Sequence, residues 1–231
     1  MSIDIATAAN ESARLASETQ RAREASEGER PEAFVAAITA LALSDKGRLA
    51  ALRRATGETL SSARDVAWIY EYLERYAPQA SPWDEERFFL VATLLAGDRR
   101  ELDRRSRKER KELKDIAQPV GHLSFAQCLA RLKNEYSAAA IDRRFRILLD
   151  AQMEADGTGD LPFRLRQLVQ LILPKNISID WPQLLRDLGN WDDARRSVQK
   201  KWASQFYTTF PSLPVESDAG NAEGGSVATP A

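Results

Sequence analysis

From residue 31 onward, apolar side chains recur at three- and four-residue steps, the period of an amphipathic helix. Phe34, Ile38 and Leu41 form the first stripe, behind Pro31, which suits a first helical turn. Ser44 stands where it can cap a second helix, which runs through Leu49 and Leu52 to Arg54 and stops at Gly57. A third spans roughly 61–76, with Val66, Ile69, Leu73 and Tyr76 in step. The fourth has the strongest start. Ser81 caps it, Pro82 opens it, and Asp84, Glu85 and Glu86 follow at its positive end. Its stripe is Phe88, Val91, Ala92 and Leu95, and Gly97 ends it.

The pattern then lapses. Residues 98–120 are basic, with almost no apolar stripe beyond Leu102, Leu113 and Ile116, and Pro119 and Gly121 close them. Helical spacing resumes at Ser124 with Phe125, Cys128, Leu129 and Leu132. A helix near 139–152 carries Ile141, Phe145, Leu148 and Leu149, followed by the loop from Asp156 to Asp160. Another begins near Leu161 and Pro162, carries Leu165, Leu168, Val169 and Ile172, and stops at Pro174. Asp180 caps a short helix through Leu184 and Leu185, ending at Gly189. The last runs from about 191 to 208 with Val198, Trp202 and Phe206. No segment alternates as a hairpin or βαβ unit requires. The expected fold is all-α, a bundle of about nine helices in two packed groups, 31–97 and 121–211. A basic connector, 98–120, joins them. Residues 1–30 hold alanine, serine and charge with little to bury, so a mobile extension is expected there; 212–231 read as a disordered tail.

Composition narrows the function classes. Of 231 residues, 43% are hydrophobic and 29% charged, enough for a packed core and too apolar for global disorder. No apolar run reaches the roughly 18 residues of a membrane helix, and the first 30 residues lack a secretory apolar segment. A soluble, cytoplasmic chain without membrane contact is expected. One cysteine, Cys128, and one histidine, His122, exclude an internal disulfide, a cysteine-type zinc cage and a histidine-rich metal site. The net charge of −1 hides an uneven distribution. Residues 1–30 sum to −2, 212–231 to −3, and 99–114 to +5. Arginine outnumbers lysine 25 to 8, and its planar fork suits phosphate.

No catalytic constellation emerges. His122 and Cys128 are six apart and would face different ways on a helix, whereas a nucleophilic pair needs contact. Gly157 and Gly159 lack the Lys-Ser/Thr of a phosphate-cradling loop. Asp150, Glu154, Asp156 and Asp160 lack calcium-loop spacing and read as a solvated loop with a helix cap. Asp192 and Asp193 fit a first helical turn, where the dipole accounts for them. The five tryptophans fall mostly among apolar neighbours and read as core. No enzyme activity, cofactor or metal is expected.

The basic clusters remain. Lys46, Arg53 and Arg54 are spaced by seven and eight and line one side of a helix, with Arg48 slightly off that line. Arg131 and Lys133 close one helix, and Arg143 and Arg144 open the next beside the Ile141/Phe145 stripe. Positive charge at a helix start opposes the dipole, so a partner anion would account for that pair. Each cluster alone reads as a solvated face; together they suggest a surface that follows phosphates rather than bases.

With these residues in view, the chain resembles the small, CasB-type subunit of the type I-E CRISPR surveillance complex, Cascade. The resemblance runs from about Phe34 to Tyr207. It rests on Asp45-Lys46-Gly47-Arg48-Leu49 leading to Arg53-Arg54-Ala55, on Glu86-Arg87-Phe88-Phe89-Leu90-Val91, and on Arg143-Arg144-Phe145 leading to Leu148-Leu149-Asp150. Leu165-Arg166-Gln167-Leu168-Val169, Ile179-Asp180-Trp181-Pro182-Gln183-Leu184-Leu185, Trp191 and Trp202-Ala203 complete it. It implies an all-helical, non-catalytic protein present as two copies in the complex, beside the guide RNA–target DNA hybrid, holding the displaced strand. It further implies backbone contacts from Arg53, Arg54, Arg143 and Arg144, and weaker ones from Lys46, Arg48, Arg131 and Lys133. The resemblance departs at one point: the family pattern has a basic residue near a tight helix start where this chain has Ser124-Phe125-Ala126-Gln127, and whether Arg131 or Lys133 replaces that contact stays open. Two other classes stay open: a helical protein–protein adaptor whose basic clusters are only solvated, and an enzyme.

Overall fold

The computed structural model describes residues 29–103 and 122–208. Nine α-helices lie wholly within them: α1 (Arg30–Ser44), α2 (Lys46–Arg54), α3 (Ile69–Tyr76), α4 (Pro82–Gly97), α5 (Phe125–Leu132), α6 (Ala138–Leu149), α7 (Asp160–Ile172), α8 (Trp181–Gly189) and α9 (Ser197–Thr208), and residues 99–103 are helical too. A 3₁₀ turn, Leu173–Lys175, follows α7. The described residues form no sheet, only isolated bridges such as Leu123 with Ile179. The all-α expectation is met. The expected N-terminal extension, most of the basic connector and the C-terminal tail lie outside the described residues.

Helix α4 organises the packing. From Glu86 to Ala96 nearly every side chain is buried, on all sides of the helix. A helix apolar all round must be surrounded. α1, α2 and α8 are its main neighbours, with α3 and α7 also touching it. In the second half α9 packs on α5, and α6 on α5 and α7. α8 follows α7 in sequence yet lies on α1 and α4. Buried residues from both halves form one continuous apolar core, from Phe34 to Phe206.

Three core tryptophans are pinned through their indole N–H groups. Trp181 donates to Asp98 at 3.0 Å, Trp191 to the Ala151 carbonyl at 2.9 Å, and Trp202 to Asp187 at 2.6 Å. Each bond crosses between segments, so the tryptophans fix orientation as well as fill volume. Burial raises the Asp98 carboxyl pKa, opposed by the Glu101 N–H and the Trp181 indole.

Several boundaries differ from the periodic reading, each for a local reason. Ser44 ends α1 and donates back to Ala40; the cap of α2 is Asp45, whose carboxylate accepts the Arg48 N–H at 2.9 Å. Residues 61–68 are turn rather than helix. Glu86 accepts the Leu60 N–H at 2.9 Å, and Asp65 holds φ at +61°. Glu86 is therefore a buried clasp for that turn, not an exposed first-turn acid, and desolvation raises its pKa. The last helix begins at Ser197 because Arg196 holds φ at +52°, leaving Trp191 buried in the preceding turn. Asp192 and Asp193 lie in that turn and are not first-turn helix residues.

Candidate nucleic-acid interface

The first cluster sits on α2. Leu49, Ala51 and Leu52 face the core, which turns Lys46, Arg53 and Arg54 outward. Lys46 and Arg54 have no ion pair among the described residues. Arg48 is half-buried: it pairs with Asp45 at 3.4 Å and Glu71 at 3.7 Å and lies over the Trp68 ring at 5.0 Å. Arg53 donates through Nε to the Ala96 carbonyl at 2.6 Å, at the end of α4. That helix end carries partial negative charge and favours a cation.

The second cluster spans the junction of α5 and α6. Ser124 and Gln127 form a capping box that starts α5: Ser124 N–H donates to Gln127 Oε1 at 3.0 Å and Gln127 N–H to Ser124 Oγ at 3.3 Å. At the other end of α5, Lys133 is only 11% exposed. Its Nζ meets Asp142 of α6 at 3.0 Å and lies 3.9 Å from the Phe206 ring centre. This pair draws the end of α5 against the first half of α6. Arg131 lies beside it on α5, and Arg143 and Arg144 follow Asp142 on α6. All three are exposed and have no ion pair among the described residues.

Two points depart from the sequence reading. α6 starts at Ala138, so Arg143 and Arg144 lie in its second turn, where the dipole effect has largely decayed. What marks them is that, among the described residues, they have no ion pair, beside the buried Ile141, Phe145 and Leu148. Arg146, also exposed on α6, joins the same basic surface and is missing from the residues that the sequence marks. Its spacing of three from Arg143 is the available signal.

The catalytic candidates fare differently. Cys128 is fully buried, its thiol directed at the Leu123 and Ser178 carbonyls, and desolvation pushes it up to about 12. A thiol in that state is no nucleophile. His122 is exposed and lies outside that enclosure. Asp156 accepts the Thr158 N–H and hydroxyl, at 3.0 and 2.6 Å, which hold its carboxyl below the usual range and account for the loop. Of the five tryptophans, Trp181, Trp191 and Trp202 are core; Trp68 and Trp83 are half-buried, each under an arginine.

Residues 48–207 match the family model described as CRISPR-associated protein Cse2. A Cse2 protein of Thermus thermophilus is 32% identical over 140 residues, covering 59% of this chain and 66% of that relative. The crystal structure of CasB from M. ruber is similar at 30% identity and a TM-score of 0.59, covering 78% of this chain and 93% of the other. The crystal structure of a Cse2-family CRISPR-associated protein from Thermus thermophilus is similar at 27% identity and a TM-score of 0.55, covering 77% and 97%. The fold also matches a chain of a CRISPR RNA-guided surveillance complex, at 22% identity and a TM-score of 0.60, covering 79% and 94%.

Proposed function

Since the chain belongs to the Cse2 family of CRISPR-associated proteins, we propose that it is a non-catalytic subunit of a type I-E, Cascade-type surveillance complex. In this reading it works beside other Cascade subunits and a second copy of itself, and contacts guide RNA and target DNA through their backbones. The observation that carries the reading is the α5–α6 surface, where Arg131, Arg143, Arg144 and Arg146 stand exposed and without ion pairs among the described residues. The weaker members are Lys46 and Arg54 on α2. Arg48, Arg53 and Lys133 keep internal contacts, and their guanidinium or ammonium groups serve phosphate only in addition to those.

The mechanism follows from guided recognition. Base pairing between guide and target reads sequence, in a strand exchange that is nearly balanced. A basic surface that binds the displaced strand lowers the free energy of the open R-loop and slows re-annealing. It needs no base readout, because phosphates carry no sequence information. Co-purification of the tagged chain with its neighbours tests this: a bound guide RNA of uniform length is expected. Recovery of protein partners without RNA, together with salt-independent behaviour toward single strands, would favour the adaptor reading instead.

A further inference from the structure

Where α6 and α8 end, the surface turns acidic. A cleft of about 510 Å³ opens between residues 149–154 and residues 191–199, the turn before α9 and its first residues. A second recess of about 560 Å³ shares Trp83, Asp192 and Asp193 with it. Together they are lined by five carboxylates, Asp84, Asp150, Glu154, Asp192 and Asp193, against the guanidiniums of Arg87 and Arg196. This charge repels phosphate, so the cleft is no extension of the basic surface.

Two of this chain's own arginines, buried Arg87 and exposed Arg196, show what the region binds. Arg87 donates to the last carbonyl of α8, on Gly189, at 3.3 Å, to Asp84 at 3.0 Å, and to Asp192. Arg196 donates to the last carbonyl of α6, on Leu149, at 2.7 Å and to Asp150 at 2.8 Å. Each combines a negative helix end with carboxylates, and a planar guanidinium serves both at once.

A third set of acceptors, Gln199, Glu154 and Asp193, is less fully engaged among the described residues: Asp193 has Lys200 nearby, while Glu154 and Gln199 Oε1 are left over. Gln199 lines the cleft and is 7% exposed. Its amide nitrogen donates to the Trp191 carbonyl at 2.7 Å, while its Oε1, buried, has no donor among the described residues. Turning the amide over would set two oxygens against each other, so this orientation stands. A buried acceptor left unpaired costs free energy that a ligand donor would recover. Glu154 has no ion pair among the described residues. The Asp193 carboxyl is held below its usual range, chiefly by the Ser197 hydroxyl and then by the Arg195 N–H, and so keeps its charge.

We propose that this cleft docks an arginine side chain presented by a neighbouring protein subunit, its guanidinium donating to Gln199 Oε1 and pairing with Glu154 and Asp193. The inference rests on reading the chain as a subunit of a multi-protein complex. Its test is the Glu154→Lys, Gln199→Leu variant, assembled with tagged partner subunits and washed at rising salt. Retention in the complex should fall at least tenfold. Far-UV circular dichroism should be unchanged, and binding of oligo-dT by the free chain should stay at or above wild type. If the double variant loses its helical signal, Glu154→Lys alone, on an exposed side chain, is read by the same criteria. Wild-type retention overturns the proposal and leaves the proposed function intact. A matching loss of oligo-dT binding overturns it by placing the cleft on the nucleic-acid surface. Loss of self-association by the free chain overturns it by giving the cleft to a second copy. Failure of the wild-type chain to join the complex would overturn both readings.

Discussion

Helices α2 and α6 each carry a basic cluster, but they use their charge differently. On α2, Arg48 lies between Asp45 and Glu71 over Trp68, and Arg53 holds the end of α4 through the Ala96 carbonyl. Half of that cluster fastens α2 to its neighbours. On α6 the fastening falls to Asp142, which meets Lys133 of α5, and Arg143, Arg144 and Arg146 are left pointing to solvent. The count of basic residues therefore misjudges a binding surface. The charge available to a phosphate is what remains after the fold has engaged its share, and α6 retains more of it.

Replacing both Arg143 and Arg144 by alanine should produce the largest effect. Two lost charge-assisted phosphate contacts weaken single-strand binding by roughly 100-fold at low salt, taking about 1.4 kcal/mol each. The slope of log K against log salt should shrink by roughly 0.7 per contact. The melting temperature should hardly move, since neither side chain has an ion pair among the described residues. The loss should be equal for unrelated sequences. A wild-type salt slope in a folded variant would make these arginines ordinary surface charge and end the contrast.

Lys133→Met should move stability instead. It keeps the apolar stem against Phe206 but strands the partly buried Asp142 carboxylate. Unfolding free energy should drop by about 2 kcal/mol, less than for a fully buried pair because Asp142 keeps some solvent. A binding defect as large as that of the α6 double variant, with unchanged stability, would move Lys133 onto the interface.

Much of this architecture was legible in the sequence, because local chemistry and tertiary packing agree in most helices. Ser81 and Asp180 cap as their spacing predicts, accepting the Asp84 and Gln183 N–H groups at 3.2 and 2.9 Å. The failures arise where a distant group overrides periodicity. Val66 keeps helical step with Ile69, yet Glu86, some twenty residues on, holds the preceding turn open. Trp191 keeps step toward Trp202, yet Arg196 breaks the chain between them and donates to Leu149 and Asp150. The placement of α8 on α1 and α4 had no local signal at all. At the basic surface the residues were legible but their engagement was not. Nothing near Arg53 in sequence points to Ala96, 43 residues away, and nothing near Lys133 points to Phe206.

Arg53→Ala should lower stability by about 1 kcal/mol, the net worth of one hydrogen bond to a helix end. Thermal or urea unfolding reads this directly. Arg53→Lys should recover little, because the contact is made by the guanidinium Nε. If Arg53→Ala leaves stability unchanged and weakens strand binding, α2 holds its charge as freely as α6.

Arg48→Ala should have the smallest effect, about 0.5 kcal/mol or less. Its side chain is 36% exposed, and its carboxylate partners stand at 3.4 and 3.7 Å, with side chains 44% and 61% exposed. Water and salt screen such pairs, and holding three side chains in one arrangement costs rotamer freedom. The stacking over Trp68 adds a contribution that does not depend on the carboxylates. The two parts separate by salt. Raising salt from about 0.1 to about 1 M shortens the Debye length from roughly 10 to 3 Å, which weakens the ion pairs and leaves the stacking largely intact. The wild-type advantage over Arg48→Ala should therefore shrink without vanishing, as followed by urea unfolding at both salt concentrations. An advantage lost completely at high salt would mean that Trp68 contributes nothing. A strand-binding defect larger than that of the Arg143/Arg144 double variant would reverse the contrast, making α2 the working surface and α6 the bystander.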